Sequence, residues 1–525
     1  MDRRTILAVV LSFGVFFAWQ KLYLEPRTAQ QRAQHAAEVA HHSEADASLP
    51  NQKKEAAQID ASTLKPLKVE TLNLSGSVAS VSNASEWIQT WTLNEYKKTL
   101  GDEGPAVSLE DLILKSGAIE VSFNRQEFLY LKDVRGTLSK EGDAALWSYS
   151  DSRIQMVRRI EIEPTLENTL FAKVDITIKD PTLQPAYAFL GVRSQSVKDD
   201  AEARDRSLAV WTQDSIERYV LQTDDFDTES VRTPVSWIAA LNRYFVLALV
   251  PQGSPLPGGR VQPWGDGLNK GWAGLVYPMS GPTLSIPVRI YFGPKDLNQM
   301  EAVHPTLGST ADFGWFTPFA YALLWIMKKL YAFFGNYGIA IILLTILVRS
   351  VTFPLTYKST KSMKKLSAVQ PKLQKIREQY KDDKEALQRE TMKAMKQSGA
   401  NPLAGCLPIL IQMPVFFALY RVLYSSVELY QEPFFGWIMD LSQKDPFYVT
   451  PILMTATMFF QQKLTPSTAA DPTQQRILQF MPLIFGVIMI NLPSGLALYM
   501  LTNALTGILQ QLVLNRKLGI KPNAT

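Results

Sequence analysis

The sequence predicts a membrane helical bundle joined to a large all-β domain that lies outside the cytoplasm. Residues 477–515 contain no charged side chain, which is typical of chain inside a bilayer. Between residues 63 and 305, by contrast, apolar and polar side chains alternate repeatedly, which is typical of strands with one buried face. The near-neutral mean hydropathy of the chain is therefore an average over two unlike regions.

Composition excludes several classes of function. The net charge of +5 on 525 residues is too small to indicate nucleic acid as the main partner. The single cysteine, Cys406, rules out an internal disulfide. Three of the four histidines lie at 35–42, in a stretch typical of a solvated linker, although metal binding there is an alternative. No phosphate-binding loop, catalytic triad or metal-ligand cluster is evident, so we expect neither enzymatic activity nor a cofactor nor a metal.

The first 25 residues predict a membrane anchor. Arg3 and Arg4 precede an apolar run at 6–19, as in a signal sequence. No small-x-small cleavage site follows, which favours an uncleaved anchor over a removed signal peptide. Its arginines should stay in the cytoplasm. Residues 26–62 show no periodicity and are predicted to be a flexible linker.

Residues 63–311 are predicted to form the all-β domain. Val174, Ile176 and Ile178 alternate with polar neighbours, and similar runs occur near 160–163 and 286–292. Successive side chains in a strand point to opposite faces, so each run has one buried and one solvated face. Many such runs separated by Gly, Pro and Asp turns predict a large antiparallel sandwich.

Residues 312–334 are predicted to form an amphipathic helix along the outer membrane surface. Phe319, Leu323, Met327 and Leu330 follow helical spacing, with Lys328 beside them. The alternative is that this segment begins a longer second span.

Five membrane spans are predicted after this helix. Residues 335–357 match the length that a hydrocarbon core of about 30 Å requires. The region 401–515 contains four more, at 407–427, at 447–461 and within 477–515. One helix over 477–515 would be about 58 Å long, so this stretch must break, and Pro493 and Gly495 mark the place. Together with the N-terminal anchor, six spans result.

Basic residues predict the orientation of these spans. The loop 358–400 contains twelve Lys and Arg residues, whereas 428–446 contains only Lys444. Since cytoplasmic loops are enriched in Lys and Arg, this loop and both termini should be cytoplasmic, including a short tail at 516–525.

The basic loop is itself predicted to be a helical hairpin. Leu366, Val369, Leu373 and Ile376 step by three and four residues, which favours two antiparallel helices over a plain solvated linker. Its surface suits ribosomal RNA, lipid headgroups or signal-recognition machinery. The residues expected to contact a ribosome or other cytoplasmic partner are Lys361, Lys364, Lys365, Lys372, Lys375, Arg377 and Lys381.

Arg349 is the main candidate for a functional residue. It lies near the middle of the 335–357 span, where burying a charge costs about 2.5–3.5 kcal/mol on insertion scales. None of the predicted spans contains Asp or Glu, so its neighbours should be neutral polar groups. Two interpretations remain open: a hydrated groove that receives a transient anion, and a structural arginine bound to carbonyl groups and glutamines. The missing carboxylates also argue against a proton-coupled transporter.

Several short motifs resemble one known family. They are Leu347-Val348-Arg349 with Pro354-Leu355, the sequence NPLAGCLP at 401–408, IQMP at 411–414, Asp471-Pro472, and PSGL at 493–496 with Leu498-Tyr499. In this order, they resemble the core of the YidC/Oxa/Alb insertase family, in its long form with a large periplasmic domain. The resemblance covers about 335–515.

The resemblance implies a five-helix core around a hydrophilic groove that opens to cytoplasm and lipid. The family arginine maps to Arg349, and Thr345, Gln412 and Asn503 are assigned to the groove around it. The apolar surface that receives a substrate helix, called the slide below, is assigned to Pro408, Met413, Met489 and Tyr499. The outer domain is implied to be a periplasmic supersandwich, and the protein to lie in the bacterial inner membrane.

Partners and function also follow from the resemblance. It implies nascent membrane proteins, ribosomes, the Sec translocon with its accessory subunits, and the phospholipid bilayer. Two departures matter: Met500 follows Tyr499 where an aromatic residue is common, and the tail is short. The favoured function is insertion and chaperoning of membrane proteins. The alternatives are a small-solute transporter and a membrane-anchored sugar-processing enzyme, although His304 is the only histidine outside the linker.

Overall fold

The computed structural model divides into two compact units, one ending at Ala311 and one starting at Asp312 and continuing to the C-terminus. The predicted anchor and linker at 1–62 lie outside the described residues. The structure describes residues 66–100, 104–111, 119–195, 205–212, 215–221, 229–231, 234–263, 270–311, 313–314, 317–381, 383–397, 407–464 and 472–519.

The first unit is β-rich. Within the described residues it contains eighteen strands, and hydrogen-bonded neighbours in its sheets run antiparallel. The strands are β1 (Val69–Leu74), β2 (Ser77–Ser82), β3 (Thr90–Lys97), β4 (Ala106–Ser108), β5 (Ile119–Phe123), β6 (Thr137–Glu141), β7 (Ala144–Ser150), β8 (Ile154–Ile162), β9 (Thr169–Ile178), β10 (Tyr187–Gln195), β11 (Ser207–Trp211), β12 (Ile216–Val220), β13 (Glu229–Val231), β14 (Trp237–Leu241), β15 (Phe245–Pro251), β16 (Gly258–Pro263), β17 (Lys270–Pro278) and β18 (Thr283–Pro294). A short helix, α1 (Leu297–Val303), follows β18.

These strands form three sheets. The orders are β1-β2-β3-β4, then β13-β16-β17-β10-β5, then β12-β11-β14-β15-β18-β9-β8-β7-β6. Along β9, Val174, Ile176 and Ile178 are buried while the residues between them are partly exposed, as the alternation predicts. Register pairs Val174 with Ile286 of β18, so both strands send apolar side chains to the same face.

The second unit is helical. Its helices are α2 (Thr317–Phe334), α3 (Tyr337–Gln379), α4 (Lys384–Gln397), α5 (Leu407–Ser425), α6 (Val449–Leu464), α7 (Pro472–Met489) and α8 (Ser494–Leu518). A β-rich region followed by a helical C-terminal part agrees with the predicted fold class at this level. Among the described residues, α3 and α8 are long and apolar enough to cross a membrane, and α7 holds a shorter apolar run at Gln479–Met489.

Helix α3 is one continuous helix through the predicted boundary at 357/358. It has 43 residues, or about 65 Å at 1.5 Å per residue. The boundary was inferred from a change in charge, and a change in charge does not break backbone hydrogen bonds. The chain turns after Tyr380, and α4 packs back on α3 around Leu366, Leu373 and Ala394. Helix α8 packs against α6 and α3, which brings distant polar residues together.

Candidate functional site

Arg349 of α3 binds Asn503 of α8. Its Nε donates to Asn503 Oδ1 at 2.7 Å, and its Nη2 donates to the Asn503 carbonyl oxygen at 3.0 Å. Both acceptors are neutral. Within the described part of the chain, Arg349 forms no ion pair with an Asp or Glu side chain. The guanidinium is therefore oriented by α8 without being neutralised.

The guanidinium keeps unused hydrogen-bonding capacity. Arginine carries five N–H donors, and the two bonds to Asn503 engage only two of them. The remaining N–H groups have no acceptor among the described residues, yet no Arg349 nitrogen is a buried atom without a partner. Nη1, which has no acceptor among the described residues, is therefore accessible and can bind a visiting acceptor.

Polar residues form a stripe on each of the two helices. Each stripe has a spacing of four, three and four residues, which keeps its members on one helix face. The stripe on α3 consists of Thr345, Arg349, Thr352 and Thr356, and that on α8 consists of Tyr499, Asn503, Thr506 and Gln510. This periodicity can be read in the sequence, but it was not used in the prediction, and Thr352, Thr356 and Thr506 were missed.

The threonine hydroxyls in these stripes donate to carbonyl oxygens of their own helix. Thr345 Oγ1 donates to the Ile341 carbonyl oxygen at 2.6 Å, and Thr506 Oγ1 donates to that of Thr502 at 2.7 Å. Such bonds to the preceding helical turn let hydroxyls lie in an apolar environment without a partner on another helix. Their lone pairs remain as acceptors.

A glycine makes room beside the arginine. A Cβ placed on Gly507 would lie 2.3 Å from Gln461 Nε2 of α6 and 3.3 Å from Arg349 Nη2. A side chain at 507 would require the Gln461 amide to move, so glycine lets this amide and the guanidinium lie close to α8 without rearrangement. Nearby, Gln510 Nε2 donates to the Arg349 carbonyl oxygen at 3.0 Å, whereas Gln510 Oε1 is buried without a donor. Gly507 was not among the predicted site residues.

The predicted groove residues are not all bonded to one another. Thr345 is buried on the Arg349 face of α3, one turn away, but its hydroxyl bonds within its own helix. Gln412 of α5 instead donates from Nε2 to the Tyr499 hydroxyl oxygen at 3.0 Å. Tyr499 and Asn503 are one turn apart on α8, so Gln412 reaches the same polar stripe from a third helix.

The residues assigned to the slide differ in exposure. Met413 on α5 is exposed, Met489 at the end of α7 is buried, and the Tyr499 ring is buried with its hydroxyl in the polar stripe. Pro408 lies in α5, and its side chain is outside the described residues. Helix α7 presents exposed apolar side chains of its own, namely Phe480, Leu483, Ile484 and Val487.

The basic side chains of the hairpin all face outward. Lys361, Lys364, Lys365, Lys372, Lys375, Arg377 and Lys381 are exposed. Lys364 Nζ also donates to the Leu518 carbonyl oxygen, at the C-terminal end of α8. A cation suits this end of a helix because the last carbonyl groups lack helical partners. The hairpin base is thereby tied to the helix that carries Asn503.

The opposite end of the bundle is closed by the segment 426–448, here called the α5–α6 loop. Ser494 N and Gly495 N, at the start of α8, donate to the carbonyl oxygens of Gln443 and Leu441 at 2.6 and 2.9 Å. Lys328 of α2 pairs with Glu428 at 3.0 Å. These bonds attach the loop to two helices, and the sequence carried no signal for them.

The loop is also docked on the start of α3. Asn336 caps this helix by accepting the Ile339 N–H at 3.0 Å, and its Nδ2 donates to the carbonyl oxygen of Phe434 at 3.1 Å. The Phe434 ring covers Gly338 so closely that a Cβ there would lie 2.0 Å from Cδ2. Gly338 is thus required for the contact between loop and helix.

Two buried carboxylates inside the loop are electrostatically different. Burial raises the pKa of Asp440. Burial acts in the same direction on Asp445, but hydrogen bonds from Thr450, Phe447 and Trp437 outweigh it and hold the pKa of Asp445 below its usual value. Asp445 is therefore a charged carboxylate whose hydrogen bonds order the loop, whereas ionising the buried Asp440 costs free energy.

Comparison with known proteins finds one family in the helical unit and another that covers part of the β-rich unit and extends into α2. The family described as 60Kd inner membrane protein matches residues 329–521, and the YidC periplasmic domain family matches residues 173–326. The chain is 31% identical over 555 residues to the membrane protein insertase YidC of Citrifermentans bemidjiense, an alignment covering 98% of this chain and 99% of that one.

Two further matches are also to YidC insertases. The chain is 43% identical to the membrane protein insertase YidC of Geobacter sp. (strain M21) over 284 residues, which is 54% of this chain and about half, 53%, of that relative. A crystal structure described as an active YidC insertase with the first transmembrane domain resolved is 18% identical, with a TM-score of 0.36, and the match covers 85% of this chain and 94% of that one.

Proposed function

Since this chain belongs to the family of YidC membrane protein insertases, we propose that the polar stripes of α3 and α8 are the part of it that receives a client. The protein is an inner membrane insertase with a periplasmic domain, and its substrates are nascent membrane proteins. It is not an enzyme. The transporter and the sugar-processing enzyme find no support among its relatives.

The observation that carries the proposal is the partly used guanidinium of Arg349. A charge bound to Asn503 but not neutralised can bind an acidic or polar client segment without first breaking a salt bridge. Its electrostatic attraction is stronger than in water, because the surroundings have a lower dielectric constant. A client's polar end is thus received by donors at membrane depth, so that it does not lose all its hydration in one step.

We assign the groove to Arg349, Thr345, Gln412 and Asn503, and the slide to Pro408, Met413, Met489 and Tyr499. The exposed apolar face of α7 and the exposed Met413 support a path by which the apolar part of a client moves into lipid. The driving force is burial of that apolar part in the bilayer, aided by the membrane potential acting on acidic tails.

Topology and partners are part of the same proposal. We propose six spans with both termini in the cytoplasm, a five-helix core around the groove, and a periplasmic supersandwich. The domains are those predicted from the sequence: 1–25 anchor, 26–62 linker, 63–311 β domain, 312–334 interfacial helix, 335–357 second span, 358–400 hairpin, 401–515 third to sixth spans, and 516–525 tail. The exposed lysines of the hairpin support ribosome binding, and we propose that the Sec translocon and its accessory subunits assist longer clients, for which the protein also acts as a chaperone.

The test is insertion in liposomes. Purified protein is given a short hydrophobic client with an acidic translocated tail, without nucleotide or Sec, and protease protection of the tail is measured. We expect insertion above that of empty liposomes, a large loss for Arg349→Ala, and partial recovery for Arg349→Lys. Arg516→Ala, an exposed arginine at the end of α8, is the matched control and should insert normally. Insertion no better than in empty liposomes would refute autonomous activity.

A further inference from the structure

The α5–α6 loop has an inverted pattern of exposure. Two of its four carboxylates, Asp440 and Asp445, are buried, and the other two, Glu428 and Glu432, are half-buried. Its large apolar side chains point outward instead: Phe435 is 80% exposed, Met439 56% and Phe447 66%. In water, the usual arrangement is the reverse, with carboxylates exposed and large apolar side chains covered. This loop is therefore built for surroundings that are not water.

Hydrogen bonds from backbone N–H groups hold Asp440 and Asp445 on the inner side of the loop. Asp440 Oδ1 accepts the N–H groups of Gln431 at 3.1 Å and Ser442 at 2.7 Å. Asp445 accepts those of Phe447 at 3.0 Å and Thr450 at 2.7 Å. Buried backbone N–H groups are thus satisfied by the inward carboxylates, and the side chains left on the outer face are apolar.

The tip of the loop is equally well defined. Phe434 N donates to the Ile438 carbonyl oxygen at 2.9 Å and closes a tight turn around Gly436, whose φ of +63° favours glycine. Along this segment Phe435, Trp437 and Met439 are exposed while Ile438 and Asp440 are buried. The turn therefore fixes three apolar side chains on one outward face, and their exposure does not come from fraying.

This outward face is continuous with the membrane-facing surface of the bundle. Exposed apolar side chains continue from the loop onto Ile452 and Leu453, in the first two turns of α6. Ile339, in the first turn of α3, is exposed as well. Trp437 and Tyr448 are partly exposed at the same level, and such aromatic residues are enriched where a bilayer meets water.

Charge also favours lipid as the occupant of this face. Among the exposed residues between 433 and 448, Lys444 is the one charged side chain, and a lysine suits the phosphate of a headgroup. The loop lies at the end of α3 opposite to the basic hairpin, so its apolar face meets the other leaflet. We propose that the α5–α6 loop inserts Phe435, Met439 and Phe447 into the lipid leaflet on its side of the membrane.

The proposal extends the proposed function and does not depend on Arg349. Under the proposed orientation, the leaflet is the periplasmic one. Because the loop is bonded to Ser494 and Gly495, lipid contact anchors the start of α8 while a client moves along the polar stripe farther down the same helix. The loop thereby holds the outer end of the groove closed in the bilayer.

Fluorescence quenching in liposomes tests this directly. In full-length protein with Cys406→Ser, single cysteines replace Phe435, Met439 or Phe447 and carry an environment-sensitive nitrobenzoxadiazole probe. Lipids with a nitroxide near the top of the acyl chain quench from within the bilayer, and iodide quenches from water. Probes at Gln443, an exposed polar position of the same loop, and at Lys173, on the β-rich unit, are the matched controls.

We expect nitroxide lipids to remove most of the emission at 435, 439 and 447, and iodide to remove little. The probe at Lys173 should show the opposite response, with Gln443 intermediate. Iodide quenching at the three loop positions as strong as at Lys173 would overturn the proposal. Protection from both quenchers would also overturn it, since it would mean that protein covers the face. Insertion activity can be measured on the same samples, so failure here is distinguishable from failure of the proposed function.

Discussion

Arg349 and Asn503 are 154 residues apart in the chain, yet Arg349 Nε donates to Asn503 Oδ1 at 2.7 Å. The partner is an amide, although a carboxylate would bind the guanidinium more strongly. A second bond to the Asn503 carbonyl oxygen, at 3.0 Å, orients the side chain against α8. The pairing holds the arginine in position and leaves its charge for a partner from outside the protein.

Asn503→Asp should separate the two interpretations of Arg349. A resident carboxylate would neutralise the guanidinium, so we expect higher thermal stability in detergent and a severalfold loss of insertion of an acidic-tailed client. A merely structural arginine predicts higher stability with insertion unchanged. Hydrogen bonds to charged groups contribute about 1.5–3 kcal/mol, which sets the size of the expected stabilisation.

Asn503→Leu is the companion variant. It removes the Oδ1 acceptor and keeps a similar volume, so stability should fall by about 1.5–3 kcal/mol. Insertion should fall less than in Asn503→Asp, because the arginine remains charged and unpaired. If Asn503→Asp inserts the client as well as the unchanged protein does, Arg349 does not receive anions.

Gly338→Ala should strongly destabilise the helical unit. The new Cβ would lie 2.0 Å from Cδ2 of the half-buried Phe434 ring and 2.9 Å from its Cβ, so a rotation of the ring alone does not relieve the overlap. Overpacking of this kind costs about 1–3 kcal/mol, and it should detach the α5–α6 loop from α3. Thermal unfolding in detergent and protease cleavage within 426–448 measure both effects.

Gly281→Ala is the control for this comparison, because a Cβ there meets nothing within 4 Å. It should leave both measurements unchanged. Equal unfolding temperatures for Gly338→Ala and the unchanged protein would show that Phe434 is not fixed on α3.

Asp445 should make the helical unit sensitive to acid. Its pKa in the folded protein is lowered, so its contribution to stability is fully present above the ordinary aspartate pKa of about 3.9 and is lost as the pH falls through the lowered value. Asp445→Asn should remove this pH dependence and cost about 1.5–3 kcal/mol at neutral pH. Unfolding temperatures measured between neutral and acidic pH test the prediction.

Asp440 should affect the pH dependence of stability in the opposite direction, which Asp440→Asn tests. Burial raises the pKa of Asp440, so its contribution to stability is greatest at low pH and is lost as the pH rises through the raised value. Its replacement should therefore cost less at neutral pH than that of Asp445. If the two variants show the same pH profile, the difference between the two carboxylates is refuted.

The hairpin lysines and arginine should matter for ribosomes and not for insertion itself. Changing Lys361, Lys365, Lys372, Lys375, Arg377 and Lys381 to Gln, with Lys364 kept because it ties the hairpin to α8, should weaken ribosome co-sedimentation and reduce its salt dependence, since each phosphate contact releases counterions. Insertion of a short client in ribosome-free liposomes should be retained. Glu378→Gln with Glu385→Gln is the control and should not weaken co-sedimentation. A variant that loses both activities would contradict a role limited to docking.

Much of this architecture was predictable because it depends on patterns along the chain. Alternation marks strands such as β9, and the uncharged stretch with Pro493 and Gly495 marks the break before α8. The cost of a charge in a span singled out Arg349, and short motifs indicated the family. Each of these signals is local, so one sequence suffices to read it.

The contacts of Arg349 were not predictable in this way. From the sequence, Thr345, Gln412 and Asn503 were equally good candidates for the hydrogen-bond partner of Arg349. Packing of α8 on α3 makes Asn503 the partner, whereas Gln412 donates to the Tyr499 hydroxyl oxygen. Gly507 became important only through Gln461 of another helix, and the buried carboxylates of the α5–α6 loop look like ordinary loop residues in the sequence. Hydrophobic patterning depends on composition and spacing, whereas a hydrogen bond requires two atoms within about 3 Å, and helix packing determines which atoms meet.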